Sequence, residues 1–421
     1  MEKNGENRLN LDRGLAFAYR VGDFVENRIG KMLAEEKRAA PILEEGTMAY
    51  PRVWYRVPLA DGLAGDGSEY HIYIKAAHPD KLVIFFSGGG VAWDAYTAAR
   101  PVTGGKVAAG LPNYYWNNLR PFTQIMNINI GITETGNPQN PFEDWSFVII
   151  TYATGDFHVG DNEYHYRDEV SGEEGVVHFH GYRNFLAAMH KARELFPKPQ
   201  RLLIAGDSAG AFAVPALTPE IMDLWYPDVR DITCLSDSGL LCYPKWRETA
   251  RTIWKTGREI YEAIETDNIL LDWYRRLYAA KKDTIRYLYA SSTHDYLLSA
   301  YYNDIVNREF TSDAEIQEAF HERLLELLAA LKGITQEFCF FINRIPNHFV
   351  IKKGMRGGTI HTCLRERFFY TPAEEGVSMA GWLSEALQGS AKDVGMGLLE
   401  DRDIPNKREE AGTGQTPNRL L

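Results

Sequence analysis

Short apolar runs alternate along this chain with longer stretches whose apolar residues recur every three or four positions. The run LVIFF at 82–86 is continuous, which is typical of a strand covered on both faces within a parallel sheet. The same reasoning predicts strands at 69–76, 82–86, 147–153, 201–206, 231–237, 285–291 and 348–354. Helical spacing predicts helices at 175–195, 208–217, 244–264, 313–332 and 377–388. This alternation indicates an α/β fold with a mostly parallel central sheet flanked by helices.

The chain divides into one large body and two flanking segments. Residues 1–40 are predicted to form an N-terminal helical extension, with an apolar stripe at Phe17, Val21, Val25, Ile29 and Met32. We expect this helix to pack on the body; a partner or dimer contact is the alternative, and the oligomeric state stays open. The body is predicted at 41–390, with a cap-like insertion rich in Tyr, Asn and Gly at about 96–140. Residues 391–421 are predicted to be a loose C-terminal tail.

Composition excludes several classes of partner. With 45% hydrophobic and 24% charged residues, the 421-residue chain has globular composition and enough apolar material for a sizeable core. Its formal net charge of −11 argues against nucleic acid, because binding a phosphate backbone needs clustered cations. No run approaches the roughly 18 apolar residues of a membrane span. Arg20, Asp23 and Glu26 interrupt the N-terminal stripe, so we predict no signal peptide.

The chain contains four cysteines, Cys234, Cys242, Cys339 and Cys363, and none forms a CxxC pair. This usage favours free thiols in a reducing compartment over disulfides or a zinc site, so a cytoplasmic protein is expected. No other cluster of potential ligands accompanies His178 and His180, which are expected on one face of a helix. We therefore predict no metal and no cofactor.

The predicted strand at 82–86 runs directly into Ser87 and three glycines at 88–90. Glycines at a strand end let backbone N–H groups approach a ligand closely, which serves either phosphate binding or stabilisation of an oxyanion. A phosphate loop would need GxxxxGK[ST], or GxGxxG opening a helix, and neither pattern occurs here. The glycine loop therefore indicates an oxyanion hole, provided that the chain also supplies a nucleophile.

A candidate nucleophile, Ser208, lies in GDSAG at 206–210, between an apolar strand and a predicted helix. In a GxSxG elbow the glycines permit a strained turn that exposes the serine hydroxyl, while the N–H of the next residue, here Ala209, faces the same position. The alternative is a tight glycine turn with an idle serine. The glycine loop earlier in the chain, as in lipases and esterases, favours the hydrolase interpretation.

The acid and the base of such hydrolases follow the serine in the chain. His361 comes after the predicted strand 348–354 and a glycine turn, where a base can reach over the sheet edge. His348 would begin that strand, at the opposite end of the sheet, so we predict His361 as the base and His348 as a bystander. Asp295 and Asp237 both follow predicted strands, and position alone does not choose between them.

Several ordered stretches from about residue 70 to residue 390 resemble the pectin acetylesterase and Notum family of α/β-hydrolases. They are GGGVAWDA, NPFEDWSFVIITYATGDFHVGD, HGYRNFLAAM, GDSAGAFA, LSDSG, HDYLL, GGTIHTCL and FFYTPAEEGVSMAGWLSEAL. The resemblance implies a serine esterase that removes acetyl groups from pectin or, in Notum, a palmitoleoyl group from a signalling protein. It also implies the α/β-hydrolase fold.

The resemblance assigns roles residue by residue. It implies a nucleophile, an acid and a base at Ser208, Asp295 and His361, and leaves Asp237 as a structural residue. It implies oxyanion donors at the N–H groups of Gly89, Gly90 and Ala209. Further residues in the matched stretches are predicted to bind substrate, namely Trp93, Asp94 and Asp156.

Two departures from the family pattern accompany these matches. Ala92, Ala98 and Ala153 stand where secreted relatives carry cysteines, which removes family disulfide positions and agrees with free thiols. Asp207 and Ala211 replace the more usual small residue and glycine beside the serine, and we expect no effect on the chemistry.

These observations together predict a metal-independent serine carboxylic ester hydrolase. An acetyl group on a carbohydrate is the predicted substrate class within small-molecule or saccharide esters. Large residues near the elbow and the glycine loop predict a short acyl pocket: Val91, Trp93, Phe157 and Phe212. The alternatives are a deacylase of longer acyl groups on a lipid or peptide, and a non-catalytic binding protein on a hydrolase scaffold.

Overall fold

A computed structural model of the chain describes residues 40–103, 106, 111–119, 126–347, 354–373 and 375–400. The predicted N-terminal helix and residues 401–421 of the predicted tail lie outside these residues. His348 also lies outside them, as does the predicted strand at 348–354 except for its last residue.

The strands are β1 Trp54–Leu63, β2 Glu69–Lys75, β3 His78–Phe86, β4 Trp145–Ile150, β5 Asn162–Arg167, β6 Glu174–Phe179, β7 Arg201–Asp207, β8 Asp231–Asp237, β9 Arg286–Ser292 and β10 Cys339–Asn343. Eight of them form one sheet in the order β1-β2-β4-β3-β7-β8-β9-β10, while β5 and β6 form a separate antiparallel pair. In the large sheet β2 pairs antiparallel with β1 and β4, and every other pairing is parallel. The predicted α/β-hydrolase fold with a mostly parallel sheet is therefore confirmed.

Helices flank the sheet. They are α1 Ala95–Ala98, α2 Gly181–Leu195, α3 Ala209–Glu220, α4 Trp246–Glu248, α5 Arg258–Glu262, α6 Ile269–Lys281, α7 Tyr296–Asn307, α8 Ala314–Ile334 and α9 Met379–Leu387. Short 3₁₀ or π segments occupy Gly131–Thr133, Ile221–Trp225, Thr249–Ile253, Lys282–Thr284, Arg367–Tyr370 and Met396–Leu399.

Two predicted helices differ in the structure. The helix expected at 175–195 begins only at Gly181, because Glu174–Phe179 pairs as strand β6. His178 therefore lies in a strand and His180 at the helix N-terminus, not together on a helix face. The helix expected at 244–264 is broken into α4, a π segment and α5. It is interrupted where Lys255 adopts a φ of 50° and Gly257 is extended.

Strand β3 shows why a continuous apolar run is needed in the centre of the sheet. Leu82, Ile84 and Phe86 face the core beneath α2, α3, α6 and α8, whereas Val83 and Phe85 face the opposite core beneath α9. All five side chains are fully buried. Because successive residues of a strand point to opposite faces, only an unbroken apolar run can serve two cores.

The parallel strands end level with one another, and this alignment brings distant residues together. Phe86 at the end of β3 pairs with Gly206 of β7, and Asp207 pairs with Asp237 of β8. Asp237 in turn pairs with Ala290 of β9. The segments that follow these strands therefore meet at the carboxyl edge of the sheet, where open α/β sheets place their ligands.

At the far edge of the sheet, residues 391–400 differ from the prediction that the chain ends in a loose tail. Strand β10, which sequence did not predict, is the last strand of the described residues, and it pairs with β9. Its outer side is covered by residues 391–400 rather than left beside a loose tail. Val394 donates its N–H to the Phe340 carbonyl and accepts from the N–H of Ile342. This pairing satisfies an edge that would otherwise expose unpaired backbone groups.

Every helix in the described part of the chain is too short or too polar to span a bilayer.

All four cysteines are free in the structure; Cys234, Cys242 and Cys363 are buried, and Cys339 is half-buried. Burial raises the pKa of Cys234 and of Cys242 to about 12, so these thiols are poorly reactive as well as shielded.

We expect an aromatic disulfide reagent to titrate four thiols in denatured protein without reductant, and to react quickly only with Cys339 in native protein. A denatured count of two or fewer would mean that the chain forms a disulfide.

Candidate active site

Ser208 occupies a strained turn between β7 and α3. Its φ of 52° and ψ of −123° are unusual for a residue with a side chain. A Cβ on Gly206 would lie 2.3 Å from the Gly210 carbonyl oxygen, and one on Gly210 would lie 2.0 Å from the Phe86 carbonyl oxygen. Both positions therefore require glycine, as a nucleophile elbow does. The turn leaves the Ser208 side chain only partly covered at the carboxyl edge of the sheet.

Three side chains from separate elements form one hydrogen-bonded chain. Ser208 Oγ lies 2.7 Å from His361 Nε2, and His361 Nδ1 lies 2.7 Å from Asp295 Oδ2. A carboxylate can only accept, so His361 donates its Nδ1–H to Asp295 and Nε2 is free to accept from the serine hydroxyl. The structure thus brings together the three residues that the family resemblance implied as nucleophile, base and acid.

Asp295 is held in place because it is also the N-cap of helix α7. Its Oδ1 accepts the N–H groups of Leu297 and Leu298, each at 2.9 Å, which leaves Oδ2 for His361. The carboxylate is fully buried. Asp is among the preferred N-cap residues, so the strand-to-helix turn itself orients the acid.

Asp237, the other candidate acid, supports the histidine loop from below. Its Oδ2 accepts the N–H groups of Cys363 at 2.7 Å and Leu364 at 2.8 Å. Burial raises the pKa of this carboxyl to about 6, although these backbone hydrogen bonds act in the opposite direction. Asp237 therefore holds the loop that carries His361, whereas the imidazole itself bonds to Asp295.

The electrostatics of the site favour a histidine that accepts a proton. Burial alone lowers the pKa of His361, but the charge and hydrogen bond of Asp295 outweigh burial, so the pKa lies above the ordinary histidine value. Such a group is neutral, and able to accept a proton, only above that raised pKa.

The glycine loop lies against the elbow and presents free donors. A Cβ on Gly88 would lie 2.6 Å from Ser208 Cβ, so only glycine allows this approach. The Gly88 N–H donates to Asp207 Oδ1 at 2.8 Å. The N–H groups of Gly89, Gly90 and Ala209 have no hydrogen-bond partner within the described structure. These are the three donors predicted for an oxyanion hole, and as unsatisfied groups beside a serine they suit that use.

Sequence reasoning missed an ion pair behind the elbow. Arg365 donates from Nε to Asp207 Oδ2 and from Nη2 to Asp207 Oδ1, both at 2.7 Å, and both side chains are buried. We expected Asp207 to have no effect on the chemistry, and the structure shows that its carboxylate also accepts from the Gly88 N–H. The aspartate beside the serine was the available signal, since a buried charge needs a partner.

The predicted substrate-binding residues have different environments. Asp156 is fully buried, and its oxygens accept from Thr154 Oγ1 at 2.6 Å and from the N–H groups of His158 at 3.1 Å and Gly181 at 2.8 Å. This corrects the prediction that Asp156 binds substrate, because a ligand cannot reach it; it ties the loop after β4 to helix α2. Trp93 is also buried, with its ring beside those of Tyr114, Tyr243 and Tyr301, so the same argument speaks against its predicted substrate contact.

Asp94 is half-buried and forms the N-cap of α1, accepting from the N–H and Oγ1 of Thr97, each at 2.8 Å. Its Oδ2 also lies 3.7 Å from Arg308 Nη1. A substrate contact by Asp94 stays a prediction.

The family model described as pectinacetylesterase matches residues 60–270, which include the glycine loop and Ser208 but not Asp295 or His361. Among solved structures, the WNT deacylase Notum from Drosophila matches with a TM-score of 0.54 and 17% sequence identity, covering 80% of this chain and 94% of that chain. At this identity the likeness concerns the fold alone. A comparison with curated protein sequences found no significant match.

The site predicts a pH-dependent reactivity of Ser208. A fluorophosphonate probe is expected to label this serine, at a rate that falls as the pH drops through the raised pKa of His361, because the protonated imidazole cannot accept the hydroxyl proton. The midpoint should lie above the ordinary histidine value of about 6.5. Peptide mapping identifies the labelled residue, with Ser208→Ala as the control. Label on another serine, or a rate independent of pH from about 5 to about 8, would contradict this assignment.

Proposed function

Because this chain belongs to the pectinacetylesterase family, we propose that it is a serine carboxylic ester hydrolase that removes acetyl groups from a carbohydrate. The observation that carries the proposal is the hydrogen-bonded chain from Ser208 through His361 to Asp295, next to unpartnered backbone N–H groups. That arrangement can activate a hydroxyl and stabilise an oxyanion at the same place.

The proposed reaction follows from the geometry. Ser208 Oγ attacks the ester carbonyl carbon while His361 Nε2 takes the hydroxyl proton, and Asp295 stabilises the resulting imidazolium. The tetrahedral intermediate collapses when His361 returns the proton to the leaving alcohol oxygen, which leaves an acetyl group on Ser208. Water then attacks the acyl carbon while His361 takes its proton, and His361 returns that proton to Ser208 Oγ as the acyl bond breaks and acetate leaves.

The oxyanion hole of this proposal is formed by the N–H groups of Gly89, Gly90 and Ala209. Each is free to bond to the oxygen that becomes negative in the transition state. Loss of one such donor typically costs about 2.7–4 kcal/mol of transition-state stabilisation.

A short acyl group is supported by the aromatic packing beside the elbow. Phe212 lies one turn after Ser208 on α3 and stacks on Phe157, with ring centroids 4.1 Å apart and planes 5° apart. The rings of Trp246 and Trp254 lie 5.4 and 5.3 Å from that of Phe157, and all four side chains are buried. We infer from this packing that there is little room for a long acyl chain on this side of the elbow.

The alternatives have less support. A deacylase of longer acyl groups on a lipid or peptide is favoured only by the fold shared with Notum. A non-catalytic binding protein would not need the complete hydroxyl, imidazole and carboxylate chain. We also propose a cytoplasmic location, which the four free cysteines favour.

Removal of individual groups tests the proposed chemistry. Ser208→Ala and His361→Ala should each lower kcat for nitrophenyl acetate by about 10³-fold or more, because the residues of a triad act as a unit. His348→Ala, the control, should leave kcat near wild type and act mainly on stability. Steady-state kinetics and thermal unfolding measure both effects. A large loss in His348→Ala with an active His361→Ala would reverse the assignment of the base.

Acyl chain length tests the proposed substrate class. We expect kcat/KM for nitrophenyl esters to stay flat or fall from acetate to octanoate. An open apolar channel would add roughly 0.8 kcal/mol per buried CH₂. Phe212→Ala, which removes one ring of the stack, should shift the preference towards longer esters. A rise of about a hundredfold or more from acetate to octanoate in the unmodified protein would instead favour the longer-chain deacylase.

A further inference from the structure

The Asp207–Arg365 ion pair contacts the start of the glycine loop and joins the segments that carry the nucleophile and the base. Asp207 is the last residue of β7, immediately before Ser208, and Arg365 lies four residues after His361. Their side chains are 4% and 7% exposed, so water competes little for their hydrogen bonds. The pair therefore connects the loop of the nucleophile directly to the loop of the base.

Asp207 also binds the glycine loop. Its Oδ1 accepts from the Gly88 N–H at 2.8 Å and from Arg365 Nη2 at 2.7 Å. Gly88 immediately precedes two of the three proposed oxyanion donors. Any movement of the Asp207 carboxylate would therefore shift Gly89 and Gly90 relative to Ala209, which follows the nucleophile.

Arg365 holds the start of the same loop through its remaining nitrogen. Nη1 donates to Ser87 Oγ at 3.1 Å, to Asn127 Oδ1 at 2.7 Å and to the Met126 carbonyl at 3.0 Å. On the other side of Ser87, His158 Nε2 lies 2.9 Å from its carbonyl oxygen. Ser87 is thus held through its side chain by Arg365 and through its backbone by His158.

This pattern of contacts suits positioning better than stabilisation. A buried ion pair often contributes little net stability compared with well-packed apolar residues, because both charges must be desolvated. The planar guanidinium, in contrast, directs several hydrogen bonds at fixed angles, which a lysine cannot reproduce.

We propose that the Asp207–Arg365 pair is the positioning element of the oxyanion hole. It fixes the distance between the glycine loop and the elbow, so that the N–H groups of Gly89, Gly90 and Ala209 can all bond to one oxygen. The inference rests on the proposed esterase function and assigns a role to two residues outside the triad. Neither residue touches the reacting atoms in this role; both act through the backbone of the loop.

Arg365→Lys tests this role because it keeps the charge and loses the geometry. We expect kcat for nitrophenyl acetate to fall about 100-fold, on the order of losing one oxyanion donor, while KM changes by less than about threefold. The inhibition constant of a trifluoromethyl ketone, which forms a tetrahedral adduct with the serine, should rise by a similar factor. A merely structural role would reduce the fraction of active protein, which fluorophosphonate titration measures, without changing this inhibition constant.

Arg100→Lys is the matched control. Arg100 also forms a two-point ion pair, with Asp168 at 2.9 and 3.0 Å, and these side chains are 15% and 5% exposed. The Arg100 side chain contacts neither the glycine loop nor the elbow. Its replacement should leave kcat and the inhibition constant within about twofold of wild type, as expected for an independent site.

Ser87→Ala is a milder second variant for the case in which Arg365→Lys fails to fold. It removes the hydroxyl that receives Arg365 Nη1, and a rise of about tenfold in the ketone inhibition constant is expected. An unchanged inhibition constant in a folded Arg365→Lys, or in Ser87→Ala if Arg365→Lys does not fold, overturns the inference. Ser208→Ala in the same assay separates failure of this inference from failure of the proposed function. If Ser208→Ala has no turnover, an unchanged inhibition constant overturns the positioning role alone. If turnover survives in Ser208→Ala, the proposed function itself fails.

Discussion

The carboxyl edge of this sheet depends on buried carboxylates whose charge is satisfied by loops from elsewhere in the chain. Asp207 ends β7, Asp237 ends the neighbouring β8, and Asp295 follows β9. A buried carboxylate is costly unless several donors bond to it, so each one attracts and holds a second segment. Asp207 holds the glycine loop and Arg365, and the other two hold the loop of His361.

The histidine loop shows how closely these interactions are combined. Within five residues it presents the His361 imidazole to Asp295, the N–H groups of Cys363 and Leu364 to Asp237, and the Arg365 guanidinium to Asp207. The loop has no regular secondary structure of its own, and Thr362 has a φ of 65°. Three separate carboxylates therefore hold the loop, together with Ser238 Oγ, which accepts the Thr362 N–H, and Ile132, whose N–H donates to the Leu364 carbonyl. Because one short loop meets all three, the base cannot move without disturbing the elbow and the glycine loop.

The departures from the family pattern also acquire a physical meaning. Ala92, Ala98 and Ala153, the positions at which the family resemblance implies cysteines, are all buried in the folded chain. Small apolar side chains fill these positions without a crosslink, and the regions around them are held by hydrogen bonds instead. Trp254 Nε1, for example, donates to the Ala92 carbonyl at 2.8 Å. Because noncovalent contacts hold the loops beside the site, these loops do not need disulfides. The free cysteines are consistent with this.

The sequence by itself determined the features that depend only on residues adjacent in the chain. These are the apolar runs of the central strands and the glycines of the elbow and the loop, and they indicated the fold class and the nucleophile. Residues alone could not choose between Asp295 and Asp237, because both follow strands. What separates them is that Asp295 bonds to the imidazole of His361, 66 residues further along the chain. Asp156 looked like a ligand group because a sequence does not show burial. Arg365 went unnoticed because its partner is 158 residues away. Tertiary structure decided these points because burial and hydrogen bonding across such separations arise only when the sheet aligns its strand ends.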